Sequence, residues 1–249
     1  MPTPQVEFQR YECKYQVSES LARDIQRAAM AHVRPDEYAA RQADHSYSVA
    51  SLYLDSADLR LHQETLGGHK NRFKLRVRTY TDDSSAPAFF EIKRRRGNVI
   101  TKSRAVLARA QMAAFFASQL DYAAFSPRDL GCLTEFAGRI QELAARPITI
   151  VRYLRQAYAG VFDDDARVTF DRRIVCAAAT TPEVRHGGPG WLPVESDRVL
   201  IELKFRGQIP GFMQRLVRDF ELTRISYSKY GNSVVSLERA FSLPTRRTA

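Results

Sequence analysis

The sequence predicts an α+β protein built on an antiparallel sheet that closes as a β-barrel, with helices on its flanks. Three observations carry that expectation. Segments of period-two alternation recur along the chain, the connections between them are mostly short enough for antiparallel pairing, and most carry ionisable side chains on one face only. Closing such a sheet would gather those charged faces inside. With 249 residues, 44% of them apolar and 27% charged, the chain can bury a sizeable core. No Pro/Gly/Ser-rich linker divides it, so one domain is expected over 6–242, followed by a tail at 243–249 that frays.

The elements follow in chain order. Over 8–15, Phe8, Arg10, Glu12 and Lys14 share one strand face and Gln9, Tyr11, Cys13 and Tyr15 the other. Ser18 can cap a helix whose Leu21, Ile25, Ala28 and Ala29 recur at helical spacing and which ends near Arg34-Pro35. A strand is read over 47–55, then a short helix capped by Ser56 or Asp58 and stopped at Gly67-Gly68. The next stretch organises the chain: Lys70, Arg72, Lys74, Arg76 and Arg78 alternate with Asn71, Phe73, Leu75 and Val77. After a turn-like stretch the pattern resumes with Phe89, Glu91, Lys93 and Arg95, and Gly97-Asn98 turns into a strand carrying Ile100, Lys102 and Arg104 on one face. Two helices broken at Ser126-Pro127 are predicted between 108 and 145, and strands return over 149–155, 167–174 and 199–205. The Gly-rich stretch within 180–197 reads as a cover or turn. Helices over about 210–222 and 231–241 close the chain.

Like charges facing each other across a ladder repel, so an ordinary wet face would intersperse acids. Here the excess is positive, and the net charge is +10 with a pI near 9.7. That balance implies an anionic partner: nucleic acid, an acidic membrane surface or a phosphorylated small molecule. The bland alternative is a solvated basic sheet. Cys13, Cys132 and Cys176 form no C-x-x-C pair, which argues against a disulfide framework or thiolate zinc site and fits a reducing cytosol. The start has no apolar leader core and no run is long enough to span a membrane, so a soluble chain is expected. With five scattered histidines, a transition-metal cluster is not expected. One or two carboxylates plus phosphate oxygens would hold Mn²⁺ or Mg²⁺; Glu202 is the first candidate, while Glu91 and Glu12 serve equally well as ion-pair partners that orient the cations.

The chain resembles the VTC-type polyphosphate polymerase domain of the triphosphate tunnel metalloenzyme (CYTH-like) superfamily. The resemblance covers about 8–241. It rests, in order, on Arg10-Tyr11-Glu12-Cys13-Lys14-Tyr15, Ser51-Leu52-Tyr53-Leu54-Asp55, Lys74-Leu75-Arg76-Val77-Arg78-Thr79-Tyr80, Phe90-Glu91-Ile92-Lys93 and Lys102-Ser103-Arg104. It continues with Tyr153-Leu154-Arg155, Val168-Thr169-Phe170-Asp171-Arg172, Ile201-Glu202-Leu203-Lys204-Phe205 and Ser228-Lys229-Tyr230. The implied fold is an antiparallel barrel whose tunnel binds triphosphate with the help of a metal. Two departures stand out. Arg10 replaces the first Glu of the E-x-E-x-K opening found in the cyclase and thiamine-triphosphatase branch, which favours the VTC branch. Ser226 stands where eukaryotic polymerases of the family carry an additional lysine before S-K-Y/F.

The resemblance implies transfer of the ATP γ-phosphoryl to the end of a polyphosphate chain. Arg76, Arg78, Lys93, Arg104, Arg155 and Lys204 would act on the transferred group, and Arg10, Lys14, Lys74, Lys102, Tyr153, Arg173, Ser228 and Lys229 would hold substrate and chain. Glu202, Glu91 and Glu12 are the metal candidates, with Mn²⁺ or Mg²⁺ as the ion. A membrane-protein partner is carried as an expectation; it would hold the chain at the inner face of a membrane. The competing functions are a metal-dependent triphosphatase or polyphosphatase and a non-catalytic polyphosphate-binding module. Nucleic acid is disfavoured, because the basic faces lack exposed aromatics for stacking and no helix is basic along one side.

Overall fold

The computed structural model describes residues 10–97, 99–123, 125–163, 165–194 and 197–242. The residues divide into two compact units, each assembled from three stretches of chain. The first unit takes its described residues from 10–47, 154–173 and 197–227, and the second from 48–153, 174–194 and 228–242. Phe8 and Gln9 of the first predicted strand, Asn98 of the hairpin turn and the tail at 243–249 lie outside the described residues, as does the side chain of Arg10.

In the first unit, β1 (Arg10–Ser18) pairs antiparallel with β10 (Arg198–Arg206), which pairs antiparallel with β8 (Arg167–Ala178). β7 (Arg146–Gly160) also passes through this unit and pairs at its end with β2 (Val33–Pro35). Ser18 caps α1 (Glu19–Ala29) as its sequence position predicts, its Oγ accepting from the Leu21 amide at 3.3 Å. The helix stops before the Arg34-Pro35 boundary read from sequence, because Val33–Pro35 turns into an edge strand. Ile25 and Ala22 of α1 and Met213 and Leu216 of α5 (Gly211–Asp219) pack on the inward residues of β1, β8 and β10, including Tyr15, Phe170 and Ile201. That apolar side leaves the even residues of β1 and β10 on the opposite face, in register as Glu12 with Lys204 and Lys14 with Glu202.

The second unit is built on β3 (Ser46–Asp55), β4 (Asn71–Thr79), β5 (Pro87–Arg96) and β6 (Val99–Ala108), paired antiparallel in that order. α2 (Arg60–Leu66), α3 (Met112–Phe116), α4 (Pro127–Leu143) and α6 (Lys229–Ser242) accompany it. Ser126 caps α4, accepting from Asp129 N at 3.1 Å, with Pro127 in the first turn as its fixed φ favours. Leu133 and Phe136 of α4 bury against Leu75, Phe90 and Ile92 in a core where Phe90 lies edge-on to Phe115 and Phe136. The predicted strands and helices therefore form, and the strand pairings named above are all antiparallel. The strand order runs β1-β10-β8-β7-β3-β4-β5-β6, and no β1–β6 pairing is present among the described residues. The antiparallel sheet stands, while "barrel" says more than its hydrogen bonds do.

The Gly-rich stretch is held within the second unit. β9 (Leu192–Pro193) pairs with β8, and the Trp191 ring is flanked by the Arg152 and Arg185 guanidiniums at 4.6 and 4.7 Å. Arg185 donates to the carbonyls of Gly187 and Pro189 within the loop, and His186 ties the loop to Ser48, Thr79 and Asp82. It is a cover, as its composition suggested.

Candidate anion-binding site

The predicted residues fall into two sets, one in each unit. In the second unit the strand register arranges them in rungs. Arg76, Glu91 and Arg104 lie side by side across β4, β5 and β6, then Lys74, Lys93 and Lys102, then Arg72, Arg95 and Ile100. The first rung alternates in sign, the second is wholly cationic, and the third has no acid.

Glu91 is fully buried. Its Oε2 accepts from Arg76 Nε at 2.6 Å and its Oε1 from Arg104 Nε at 2.8 Å, and Lys102 also pairs with Oε1. Burial would raise its carboxyl, but Arg76, Arg78, Lys102 and Arg104 outweigh burial and hold it far below the usual carboxylate range. The neighbour Lys102 moves the other way: desolvation pushes its ammonium down to about 7, with Arg76 and Arg78 adding to the effect and Glu91 opposing it. Arg78 differs from both. It is 7% exposed, and it donates only to the hydroxyls of Ser51 at 3.2 Å and Tyr153 at 3.4 Å, with no carboxylate in ion-pair range among the described residues.

Two further motifs hold this array in place. Tyr53 accepts from Arg76 at 3.3 Å and stacks on Tyr230 at 5.0 Å. Burial works to raise the Tyr53 phenol, and Arg76 and Arg78 overcome it and leave it lowered. Asp55 accepts from the backbone of Ser56, Leu61 and His62 and from the Tyr230 hydroxyl at 2.5 Å. That carboxylate therefore fixes the start of α2 and one residue of Ser228-Lys229-Tyr230 together. Ser228 Oγ accepts from Lys74 Nζ at 2.7 Å and from the Gly231 amide at 3.0 Å, and Lys229 Nζ sits 4.7 Å from the centre of the Tyr153 ring.

In the first unit the centre is Asp171 and Glu202, both buried. Arg155 grips Asp171 as a fork, with both bonds at 2.7 Å, and reaches Glu202 Oε2 at 3.4 Å. Lys204 is 2.6 Å from the same oxygen. Lys14 lies 3.2 Å from Glu12, 4.0 Å from Glu202 Oε1 and 2.7 Å from the Tyr227 carbonyl. Thr169 faces Glu202 across the ladder, and its buried Oγ1 has no hydrogen-bond partner among the described residues. Arg173 joins none of these contacts: it is exposed, and its φ of +50° interrupts the strand alternation that placed it on the Asp171 face.

The implied divalent ion can be weighed against these donors. Among the described residues, no group of three or more His, Cys, Asp and Glu side chains is placed to hold a metal. Glu91 does not fit the role, since both of its oxygens are held at hydrogen-bond distance by cations, whereas on Glu202 Arg155 and Lys204 share Oε2 and Lys14 stands 4.0 Å from Oε1. The sparse mode of one or two carboxylates plus phosphate oxygens fits Glu202, with Glu12 one rung along the same face and the orphaned Thr169 hydroxyl opposite.

Sequence reading placed most of these cations and two of their hydroxyl partners, Tyr153 and Ser228, but gave no role to four other residues. Ser51, Tyr53, Asp55 and Thr169 lie inside quoted motifs, yet alternation cannot show that a strand hydroxyl meets an arginine on another strand. The available signal was the recurrence of Ser, Tyr and Asp at odd positions within 51–55, all on one face.

In each unit strand-borne cations gather around buried carboxylates, an arrangement that can accept a compact, highly charged anion. A family model described as the VTC domain matches residues 9–238, and the chain belongs to that family. No curated protein matches the chain. Among solved structures, similarity extends to a candidate adenylate cyclase from Bacillus halodurans, 12% identical, covering 89% of this chain and 94% of that one with a TM-score of 0.48. A candidate adenylate cyclase from Vibrio parahaemolyticus is also 12% identical, covering 92% and 98% with a TM-score of 0.45. A protein from Pyrococcus horikoshii is 8% identical, covering 93% and 99% with a TM-score of 0.44. At these scores the three carry no functional argument.

Proposed function

We propose that this chain is a polyphosphate polymerase-like phosphotransferase. A terminal oxygen of a polyphosphate chain attacks the γ-phosphorus of ATP, the bond to the β–γ bridging oxygen breaks, and ADP leaves. The observation that carries the reading is Arg78. Arg78 is 7% exposed and, among the described residues, hydrogen-bonds only to the hydroxyls of Ser51 and Tyr153, with Glu91 favouring its charge from beyond ion-pair range; this leaves guanidinium N–H groups for a phosphoryl oxygen, the anion this family handles. In the second unit Arg76 and Arg104, aligned by Glu91, would share the charge that develops on the transferred group together with Lys93, and in the first unit Arg155 and Lys204 are the candidates for the same role. In the second unit Lys74, Lys102, Ser228 and Lys229 would hold the phosphate chain with Tyr153 as a further contact, and in the first unit Lys14 and Arg10 are the candidates for that role. Glu202, with Glu12, would hold Mn²⁺ or Mg²⁺, whose charge would oppose that of the phosphates.

An ionised phosphate nucleophile needs no general base. Glu12, Glu91, Asp171 and Glu202 are all engaged by cations, so hydrolysis at this site would depend on a metal-activated water rather than on a carboxylate base. No helix among the described residues is long and apolar enough to cross a membrane. A membrane-protein partner at the cytoplasmic face belongs to the same reading and would be sought by co-purification from solubilised membranes.

The test is incubation of the purified protein with ATP and Mn²⁺, with product length read on a gel. ATP-dependent lengthening is expected. Phosphate release from tripolyphosphate without ATP would make the protein a hydrolase, and binding with neither reaction would make it a binding module. Glu202→Gln is expected to abolish turnover and to lower the melting temperature by several degrees without unfolding the protein, because it removes the charge paired with Arg155 and Lys204 while the amide oxygen still accepts from them. Unchanged rates and metal dependence in that variant would remove Glu202 from the metal role.

A further inference from the structure

Beyond the Glu91 rung, the sheet face of the second unit carries a basic track. Lys74 faces Lys93, and Arg72 faces Arg95. Like charges directly opposite on neighbouring strands are destabilising, and a fold gains nothing by stacking two such rungs in succession. The Arg72–Arg95 rung opens into a cavity of about 420 Å³ lined by Gly68, Lys70, Arg72, Arg95 and Gly97. None of the residues given a catalytic or substrate role above lines it.

Neither arginine there is neutralised. Arg72 donates to the His69 carbonyl and Arg95 Nε to the Gly97 carbonyl at 2.9 Å, and no carboxylate pairs with either among the described residues. The carbonyl bonds aim the two guanidiniums without cancelling their charge. Desolvation, followed by repulsion from Arg95, lowers the pKa of Arg72, which marks a place where a cation lacks its counter-charge. The rim carries little bulk. Gly68 and Gly97 sit at φ +65° and +58°, and the space around each Cβ position is open. A bulky, flexible anion can reach the arginines there.

We propose that this cavity is an outer phosphate-chain site, in which Lys70, Arg72 and Arg95 bind phosphoryl units of a linear polyphosphate beyond those taken by the Glu91 rungs. The inference rests on the polyphosphate reading for its ligand, though not on turnover. Strand geometry sets successive rungs about 6.6–6.8 Å apart, so the Arg72–Arg95 rung lies roughly 13 Å along the strands from Arg76–Glu91. A short phosphate held at the Arg76 rung therefore leaves the outer site empty. A long chain can fill both.

The consequence is selectivity for chain length. Binding of long-chain polyphosphate and of tripolyphosphate would be measured by titration calorimetry, without ATP or metal, on the wild type and on Arg72→Gln/Arg95→Gln. The double variant is expected to lose about tenfold in affinity for the long chain, keep its affinity for tripolyphosphate, and melt at the same or a higher temperature because a repelling pair is gone. A control variant, Arg27→Gln/Arg218→Gln, removes the same charge from side chains 80% and 76% exposed and is expected to change neither affinity. Equal losses in the two double variants would overturn the site, leaving only net charge at work. So would a fall of several degrees in melting temperature with tripolyphosphate binding lost as well, which would make the arginines supports of the fold. Single-stranded DNA losing the same factor as long-chain polyphosphate would show a general polyanion surface and also overturn it. Absence of ATP-dependent synthesis, with the long-chain effect intact, would defeat the polymerase reading and leave the outer site standing.

Discussion

Arg76 and Arg78 stand two residues apart on one strand face and look interchangeable in sequence, but their partners separate them. Arg76 neutralises a fully buried carboxylate, whereas Arg78 touches only hydroxyls. Arg76→Ala should therefore cost on the order of 3 kcal/mol by breaking a buried pair, which lowers Tm by roughly 6–12 °C in a chain of this size. Arg78→Met should hold or raise Tm in ligand-free buffer and lose triphosphate binding. Scanning calorimetry on both variants checks the contrast, and equal losses would make Arg78 a structural cation. Lys102 sets a pH dependence at the same scale. Its ammonium is brought down to about 7 in the fold from an ordinary 10.5, so between those values the unfolded chain holds more protons. The contribution of Lys102 to ligand-free stability thus rises with pH across that window and is lost as pH falls towards 7. Phosphate favours the charged form, so triphosphate affinity should fall as pH climbs past about 7. Lys102→Met should flatten both trends, as read by thermal melts and titrations over the range.

Between residue and molecule, the element that aligns the site is the junction of β3, α2 and α6. α2 is seven residues long, and its nearest side-chain caps are Ser56 Oγ on Arg60 N and Asp55 on Leu61 N and His62 N. The Asp55 carboxylate also accepts from Tyr230, and burial together with that bond pushes the Tyr230 phenol far above its ordinary value. Asp55→Ala removes a cap and leaves a buried hydroxyl unsatisfied, an expected loss of about 2–4 kcal/mol. Asp55→Asn should recover part of it, because an amide oxygen still accepts. The same change should loosen Ser228 and Lys229, so polyphosphate affinity is expected to drop with stability in Asp55→Ala and to return with it in Asp55→Asn. Lost affinity with an unchanged melt would instead place Asp55 directly on the ligand.

For the whole molecule, the question is whether the net charge of +10 acts as a surface or as enclosed sites. Tripolyphosphate at a hundredfold excess over its dissociation constant should stabilise the fold by about 2.7 kcal/mol, and orthophosphate by far less. The shift should survive ~0.5 M salt, which screens open surfaces more strongly than buried arginine pairs. Single-stranded DNA of equal charge should give little shift; equal shifts erased by salt would leave a basic surface only. The alternation of 70–78 determined by itself that one strand face would be cationic, because side chains on a strand must alternate. Ser18 and Ser126-Pro127 likewise marked two helix starts, since caps act within a turn of chain. The ordered motifs identified the family. Strand register decided the rest: that Glu91 would be consumed by Arg76, Lys102 and Arg104, that Arg78 would have no carboxylate in ion-pair range among the described residues, and that Arg72 would face Arg95. A turn one residue longer would have shifted every one of those pairings to the other face. Sequence sets what each strand presents, whereas the neighbour it presents it to is fixed by hydrogen bonds between segments distant in the chain.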